Sequence, residues 1–163
     1  MNSCKAMSSL PRPLEFAPGV WRALMEDLGR RSAGEREAGA FLCRTHHSSQ
    51  VRRWICYEAL DPLALHHDYI RLETVAFARL ADVCSLEGLI VIADIHSHPG
   101  GPVQSESDRR HPMIAIAGHV ALIAPRFASD IIRPRDVSFN WYRGNHRWRS
   151  YFYFDAAALI TAP

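Results

Sequence analysis

The fold is decided by residues 89–108, which read LIVIADIHSHPGGPVQSESD. Residues 89–95 form a nearly unbroken apolar run, as expected for a central strand covered on both faces. A loop with turn residues follows at residues 99–104, and Ser105 with Asp108 three residues later predicts the cap of a short helix. The stretch therefore predicts a central strand whose polar carboxyl end lies where the strands of the sheet end.

The sequence on either side predicts an α/β domain built around this strand. Apolar residues at helical spacing predict helices over residues 19–32 and 73–84. Strands or extended pieces are predicted at residues 14–17, 38–45, 51–60, 69–72, 119–124, 137–142 and 147–154. We expect one domain over residues 13–163, with a mixed central β-sheet flanked by helices, after a flexible N-terminal arm of residues 1–12.

Bulk composition limits the classes of function. The chain has 163 residues, and 48% of them are hydrophobic, which suits a globular domain. The formal net charge of +2 is small, so we expect no nucleic-acid partner. The four cysteines form no C-x-x-C pair, so we expect reduced, mostly buried thiols. Without an apolar run of membrane-spanning length or a secretory signal, the sequence predicts a cytoplasmic protein with no membrane partner.

Two histidines at the end of the central strand indicate a metal site. His96 and His98 are two residues apart, so on an extended backbone both imidazoles project from the same face. Zinc binds imidazole and carboxylate groups, and a catalytic zinc site keeps three protein ligands and one open position. Asp108, returned by the loop with Gly100 and Gly101, is the predicted third ligand.

A zinc hydrolase also needs a carboxylate that takes a proton from water. Glu37 is the candidate, and the neighbouring Glu35 is the alternative. Glu106 and Asp94 are alternatives to Asp108 as a metal ligand, although Asp94 fits a supporting role better. Ser105 fits an ordinary helix cap on its position alone.

These residues resemble the motif of the JAMM (MPN-plus) zinc metallopeptidases, in the compact bacterial form that is similar to deubiquitinases. The resemblance rests on H-S-H-P at 96–99, S-E-S-D at 105–108 and E-A-G-A-F-L at 37–42, and the loop before the aspartate is one residue shorter than in the commonest form. It implies that His96, His98 and Asp108 bind one Zn²⁺ per chain. It further implies that Glu37 is the catalytic acid/base and that the Ser105 hydroxyl stabilises the oxyanion.

The same resemblance implies a substrate and partners. Members of the family commonly cleave after the C-terminus of ubiquitin or ubiquitin-like proteins, whose extended tail runs into the zinc site, with strand addition as the expected binding mode. We expect maturation or deconjugation of a bacterial ubiquitin-like protein, in the company of activating and conjugating enzymes and in the setting of antiviral defence. The alternatives are a sulfur-carrier-protein hydrolase in cysteine biosynthesis, a non-catalytic MPN scaffold and a DNA-repair-associated relative.

Other chemistry-bearing residues are expected to lie at the surface. The remaining histidines, including His111 and His119, fit surface or capping positions better than ligand positions. Arg109 and Arg110 flank the predicted site on a solvated helix face. A small basic and aromatic surface is predicted from Arg143, Arg147, Arg149, Trp141, Trp148 and Tyr151.

Overall fold

The computed structural model describes residues 10–66 and 70–163. Its helices are α1 (Val20–Ser32), α2 (Tyr57–Leu60), α3 (Thr74–Glu87), α4 (Glu106–Arg110) and α5 (Tyr153–Ala157). Its strands are β1 (Leu14–Glu15), β2 (Gly39–Thr45), β3 (Arg53–Cys56), β4 (Leu89–Ser97), β5 (Val120–Ala124), β6 (Ser138–Tyr142), β7 (Trp148–Tyr151) and β8 (Ile160–Thr161). The predicted α/β fold with a mixed sheet is confirmed.

The main sheet places β4 near its centre. Among the described residues the sheet has six strands in the order β3-β2-β4-β5-β6-β7. β4 pairs antiparallel with β2 and parallel with β5, so Gly39 and Ile123 flank His96. The carboxyl end of β4 therefore lies beside the start of β2, where Glu37 precedes the strand.

Helices cover both faces of this sheet. The Ser97 side chain of β4 contacts α1, because its Oγ lies 2.9 Å from the Oγ of Ser32. Phe41 of β2 contacts α3 on the other face, where its ring centroid lies 6.1 Å from that of Phe77. Since neighbouring strand residues point to opposite faces, His96 and His98 point away from α1.

Two predicted strands end earlier than expected. The strand predicted for residues 51–60 stops at Cys56, and α2 takes its second half, which turns the buried Tyr57 across the sheet. The strand predicted for residues 147–154 stops at Tyr151, and α5 follows. At Tyr57, which is fully buried, tertiary packing overrides the local aromatic strand pattern, whereas Tyr153 and Phe154 of α5 are exposed.

The sequence patterns did not predict that the two ends of the domain pair with each other. β1 and β8 pair in parallel and form a separate two-stranded sheet, which joins the two ends of the domain. Most of the predicted N-terminal arm, residues 1–9, lies outside the described residues, as do residues 67–69. Residues 70–73 belong to no helix or strand.

Of the described cysteines, Cys43 and Cys56 are buried free thiols and Cys84 is a partly buried one.

Candidate metal centre

The two histidines converge at the end of β4. The Nε2 atoms of His96 and His98 lie 3.0 Å apart, and the ring centroids are 4.8 Å apart. Both side chains are largely buried, with 12% and 10% of their surface exposed. The spacing of two residues on a strand therefore does what the sequence predicted: it aims both rings at one point.

The N-terminal cap of α4 brings Asp108 to the same point. The Asp108 backbone N–H donates to the Ser105 Oγ over 3.1 Å, and the Ser105 backbone N–H donates to Asp108 Oδ2 over 2.6 Å. Held in this way, Asp108 Oδ1 lies 3.4 Å from His96 Nε2, and Asp108 Oδ2 lies 3.2 Å from His98 Nε2. The capping box thus orients a carboxylate toward both imidazoles.

The loop between the histidines and α4 does not depend on glycine as predicted. Gly100 and Gly101 show no positive φ, and a Cβ at either position would meet nothing within 4 Å. The return of the chain rests instead on hydrogen bonds, because the Arg126 backbone N–H donates to the Gly100 carbonyl over 3.0 Å. The shortened loop therefore closes without a conformation that only glycine adopts.

Glu37 reaches the cluster because Ser97, between the two histidines, fixes the start of β2. The Ser97 Oγ accepts the backbone N–H of Ala38 over 3.0 Å, and the Ser97 backbone N–H donates to the Ala38 carbonyl over 2.8 Å. Glu37 Oε1 then lies 3.7 Å from His98 Nε2. Glu35, the alternative base, is exposed and makes no ion pair with these histidines.

The donor set fits a zinc ion. Donor atoms of Glu37, His96 and His98 lie within 4.8 Å of one another, and Asp108 is within 3.4 Å of both rings. In a tetrahedral zinc site with bonds of about 2.0–2.1 Å, neighbouring donor atoms lie roughly 3.3 Å apart. The two imidazole nitrogens are 3.0 Å apart, and a different oxygen of Asp108 lies near each of them, Oδ1 at 3.4 Å from His96 Nε2 and Oδ2 at 3.2 Å from His98 Nε2. These separations are close to that edge length, and Glu37 Oε1 lies 3.7 Å from His98 Nε2. The ligand assignment itself stays a prediction.

The carboxylates of the cluster differ in their electrostatic state. Burial would raise the pKa of Asp108, but hydrogen bonds with His96 and His98 outweigh it and hold that pKa well below its usual range. Burial raises the pKa of Glu37, and the opposing attraction of His96 and His98 does not cancel the effect. Asp108 is therefore a stable anion, and Glu37 is the carboxylate with the greater affinity for a proton.

A buried group behind the histidines supports β4. The Asp94 carboxylate accepts the Tyr57 hydroxyl over 3.3 Å and pairs with His119 Nε2 at 2.6 Å. Tyr57 packs so closely on Gly39 that a Cβ there would collide with its ring and lie 2.7 Å from the Ile95 carbonyl. Asp94 is thus engaged away from the cluster, in the supporting role expected for it.

His119 corrects a prediction. Its side chain is only 7% exposed, so it is neither a surface nor a capping residue but a buried partner of Asp94. Glu106, the other alternative ligand, pairs with Arg110 at 2.6 Å, and its side chain is 76% exposed. His67 lies outside the described residues.

A left-handed turn after β5 supports the end of β4 and has no signal in the sequence. Arg126, Phe127 and Ala128 each have a φ of 53°, although none is glycine. The Phe127 backbone N–H donates to the His98 carbonyl over 2.8 Å. Gly29 of α1 approaches the turn, where a Cβ would lie 2.5 Å from the Ala128 carbonyl oxygen. Backbone strain of this kind is typical of functional sites.

A cleft of about 750 Å³ opens over the cluster. Glu37, His96, Ser105 and Asp108 line its polar part. Its apolar walls are formed by Ile70, Leu72, Phe77, Met113, Ala121 and Trp148. The Trp148 indole N–H donates to the Arg109 carbonyl over 3.0 Å, which ties α4 to β7.

The predicted basic and aromatic surface is partly core. The Arg143 guanidinium lies over the Trp141 ring at 4.2 Å, and Arg149 lies over Tyr151 at 5.3 Å. Trp141 is only 3% exposed, so its ring is not free to stack on a base. The expectation of no nucleic-acid partner stays a prediction.

Two known structures share this fold. The chain resembles the solution structures of protein DSY2949 from Desulfitobacterium hafniense, with 14% identity and a TM-score of 0.56, and of a protein from Salinibacter ruber, with 18% identity and a TM-score of 0.57. The matches cover 92% of this chain in both cases, and 94% and 92% of the respective neighbours.

The sequence matches the family described as prokaryotic homologs of the JAB domain over residues 19–130. The chain belongs to this family, and the predicted membership in the wider JAMM/MPN group is confirmed. The matched residues include Glu37, both histidines, Ser105 and Asp108.

In the part of the chain that the structure describes, no helix combines the length and apolar character needed to cross a membrane.

Proposed function

We propose that this protein is a zinc-dependent peptidase or isopeptidase that holds one zinc ion with His96, His98 and Asp108. The observation that carries the proposal is the set of donor separations of 3.0, 3.2 and 3.4 Å, with Glu37 just outside at 3.7 Å. Three ligands and an adjacent carboxylate are the arrangement of a catalytic zinc site, whereas structural sites are closed by four ligands.

Glu37 is the proposed acid and base. A bound zinc ion supplies Lewis acidity, polarising a carbonyl group and lowering the pKa of water. Glu37 lines the cleft, and its Oε1 lies 3.7 Å from His98 Nε2, beside the proposed ligands. It accepts a proton from the attacking water and gives this proton to the departing amine. An amine that has not been protonated is a poor leaving group.

Ser105 is the proposed donor to the oxyanion. Its Oγ already accepts the Asp108 backbone N–H, and a hydroxyl that accepts one hydrogen bond still has its own O–H to donate. The residue lines the cleft beside Asp108. Its O–H therefore stabilises the negative charge that develops on the scissile carbonyl oxygen, in addition to capping α4.

The proposed substrate is the C-terminal tail of a ubiquitin-like protein, cut to mature a precursor or to release a conjugate. Membership in the JAB family supports this choice. Activating and conjugating enzymes are the proposed partners, the cytoplasm the proposed location and antiviral defence the proposed setting.

The experiment combines metal analysis with cleavage. Purified protein is assayed by elemental mass spectrometry, and a ubiquitin-like protein with a C-terminal extension is offered as substrate, with and without a chelator. About one zinc per chain and chelator-sensitive cleavage are the expected results. Zinc without cleavage of this substrate, but with cleavage of an extended sulfur-carrier protein, would favour the second candidate substrate. Absence of both zinc and cleavage would favour a scaffold.

A further inference from the structure

Gln104 places a carboxamide in the cleft beside the proposed catalytic group. It directly precedes Ser105 and lines the cleft together with Ser105 and Asp108. Among the described residues that line this cleft, it is the one with a carboxamide. The mechanism proposed above assigns it no role.

The carboxamide has no partner in the described part of the protein. Gln104 Oε1 is buried and accepts no hydrogen bond. Gln104 Nε2 is not among the buried unpartnered atoms and donates to no described residue, so this nitrogen is accessible to solvent, on a residue that lines the cleft. Both hydrogen-bonding ends of this half-buried side chain are therefore without a partner among the described residues.

Such a group calls for an explanation, since most buried polar atoms in proteins have partners. A structural role for Gln104 would require a hydrogen bond that holds the loop, and none is present among the described residues. Groups that destabilise the free protein are retained at sites where a ligand uses them. The cleft location makes a ligand the natural partner.

The chemistry of the carboxamide restricts that ligand. A carboxamide offers donors and an acceptor side by side, and a peptide unit offers one of each in the complementary arrangement. An anion would use only the donor and would be repelled by Glu37 and Asp108, which line the same cleft. An ammonium group would use only the acceptor. A main-chain peptide unit satisfies both ends.

We propose that Gln104 is a positioning residue that pairs with a main-chain peptide unit of the substrate tail. Nε2–H donates to a tail carbonyl, and Oε1 accepts a tail N–H once the amide turns about its terminal torsion. This inference rests on the proposed peptidase function for the identity of the substrate. It adds sequence-independent recognition of the peptide backbone next to Ser105.

The test measures binding of an uncleaved peptide. The blocked peptide acetyl-Leu-Gly-Leu-Gly-Gly-amide is titrated calorimetrically into zinc-loaded Glu37→Gln protein, with and without Gln104→Leu. Loss of two neutral hydrogen bonds should weaken binding roughly tenfold or more. Gln50→Leu is the matched control, since the Gln50 Oε1 already accepts the Arg52 guanidinium on an exposed turn. It should leave the affinity unchanged.

A second measurement separates substrate pairing from a structural role. Because Oε1 has no partner to lose, Gln104→Leu should leave the thermal midpoint of unfolding unchanged or raise it. N-methylation of the peptide glycines should weaken binding to the Gln104 protein and have a smaller effect on Gln104→Leu. A lower midpoint with unchanged peptide affinity would overturn the proposal, as would equal losses on N-methylation in the two proteins.

The outcomes also distinguish this inference from the proposed function. Zinc content and cleavage by the protein with Glu37 intact report on the peptidase itself. If cleavage occurs and Gln104→Leu shows the same KM, only the role of Gln104 fails. If the zinc-loaded protein neither cleaves nor binds any peptide, both proposals fail. In the active protein, Gln104→Leu is expected to raise KM by roughly tenfold with little change in kcat.

Discussion

Asp108 Oδ2 lies 3.2 Å from His98 Nε2 while it accepts the backbone N–H of Ser105. One carboxylate thus caps α4 and faces the two histidines. The cap prevents rotation of the carboxylate, so the entropy of orienting it is lost on folding and not on metal binding. This dual use makes the local structure of α4 a determinant of the proposed zinc affinity.

Asp108→Ala should reduce zinc affinity by at least about 100-fold, because it removes a proposed direct ligand and not only an outer contact. Metal content after dialysis against a chelator measures the change. Asp136→Ala is the matched control, since Asp136 likewise accepts the backbone N–H of the residue three positions earlier, Arg133, over 2.8 Å. Retention of full zinc by Asp108→Ala would exclude Asp108 as a ligand.

Glu37→Gln should keep its zinc and lose turnover by about 100- to 10,000-fold, the usual contribution of general acid–base catalysis. The amide keeps the shape of the side chain but cannot accept the proton. Glu35→Gln, on the exposed neighbour, should be fully active. If Glu37→Gln lost zinc in proportion to activity, Glu37 would be a ligand and not the base.

Ser105 can be tested separately as a cap and as an oxyanion donor. Ser105→Gly removes the hydroxyl but costs only a few tenths of a kcal/mol as a cap, whereas Ser105→Ala costs about 1 kcal/mol of stability. Both variants should lower kcat by roughly 100- to 1,000-fold if the hydroxyl stabilises the oxyanion. Kinetics and denaturant unfolding are measured side by side. An active Ser105→Gly protein would leave Ser105 with the capping role alone.

Glycine positions near the site should respond in opposite ways. Gly39→Ala should destabilise the fold by about 1–3 kcal/mol through the collision with Tyr57 and Ile95. Gly101→Ala meets nothing within 4 Å and should be neutral or stabilising by up to about 1 kcal/mol. Urea unfolding of the wild-type protein and the two variants measures these changes in the free energy of unfolding. A strongly destabilised Gly101→Ala would show that the loop does need glycine.

The Asp27 carboxyl group should make the free energy of unfolding depend on pH. Burial would raise its pKa, but hydrogen bonds from Trp54, Cys56 and two arginines of α1 outweigh it and lower the pKa from 3.8 to about 2. Since the folded-state pKa is the lower one, the stabilisation is present above pH 3.8 and is lost as the pH falls toward 2. The full contribution of Asp27 to the free energy of unfolding is about 2 kcal/mol.

Unfolding of wild-type and Asp27→Asn proteins between pH 5 and about pH 2 checks this expectation. The free energy of unfolding of Asp27→Asn should vary less with pH across that range. Asp130→Asn is the control, because Asp130 is exposed and pairs with Arg126 at the surface. A pH dependence that Asp27→Asn leaves unaltered would show that Asp27 titrates normally in the folded protein.

The sequence predicted the central strand, most helix and strand positions and the convergence of the two histidines, because these follow from short-range periodicity. It placed the end of the strand after Cys56 wrongly, since the burial of Tyr57 against Gly39 is a contact between distant segments. For the same reason His119 was expected at the surface, although it is the buried partner of Asp94.

By itself the sequence determined the α/β class, the family motif, the strand spacing that points His96 and His98 in one direction and the cap that Ser105 and Asp108 form on α4. Those features depend on strand pleating and helix capping, which act within a few residues. Only the tertiary structure decided how Glu37 approaches His98, how the left-handed turn at Phe127 holds the His98 carbonyl and how Gln104 is left without a partner. These relationships depend on which distant segments pack together, and no local pattern encodes that choice.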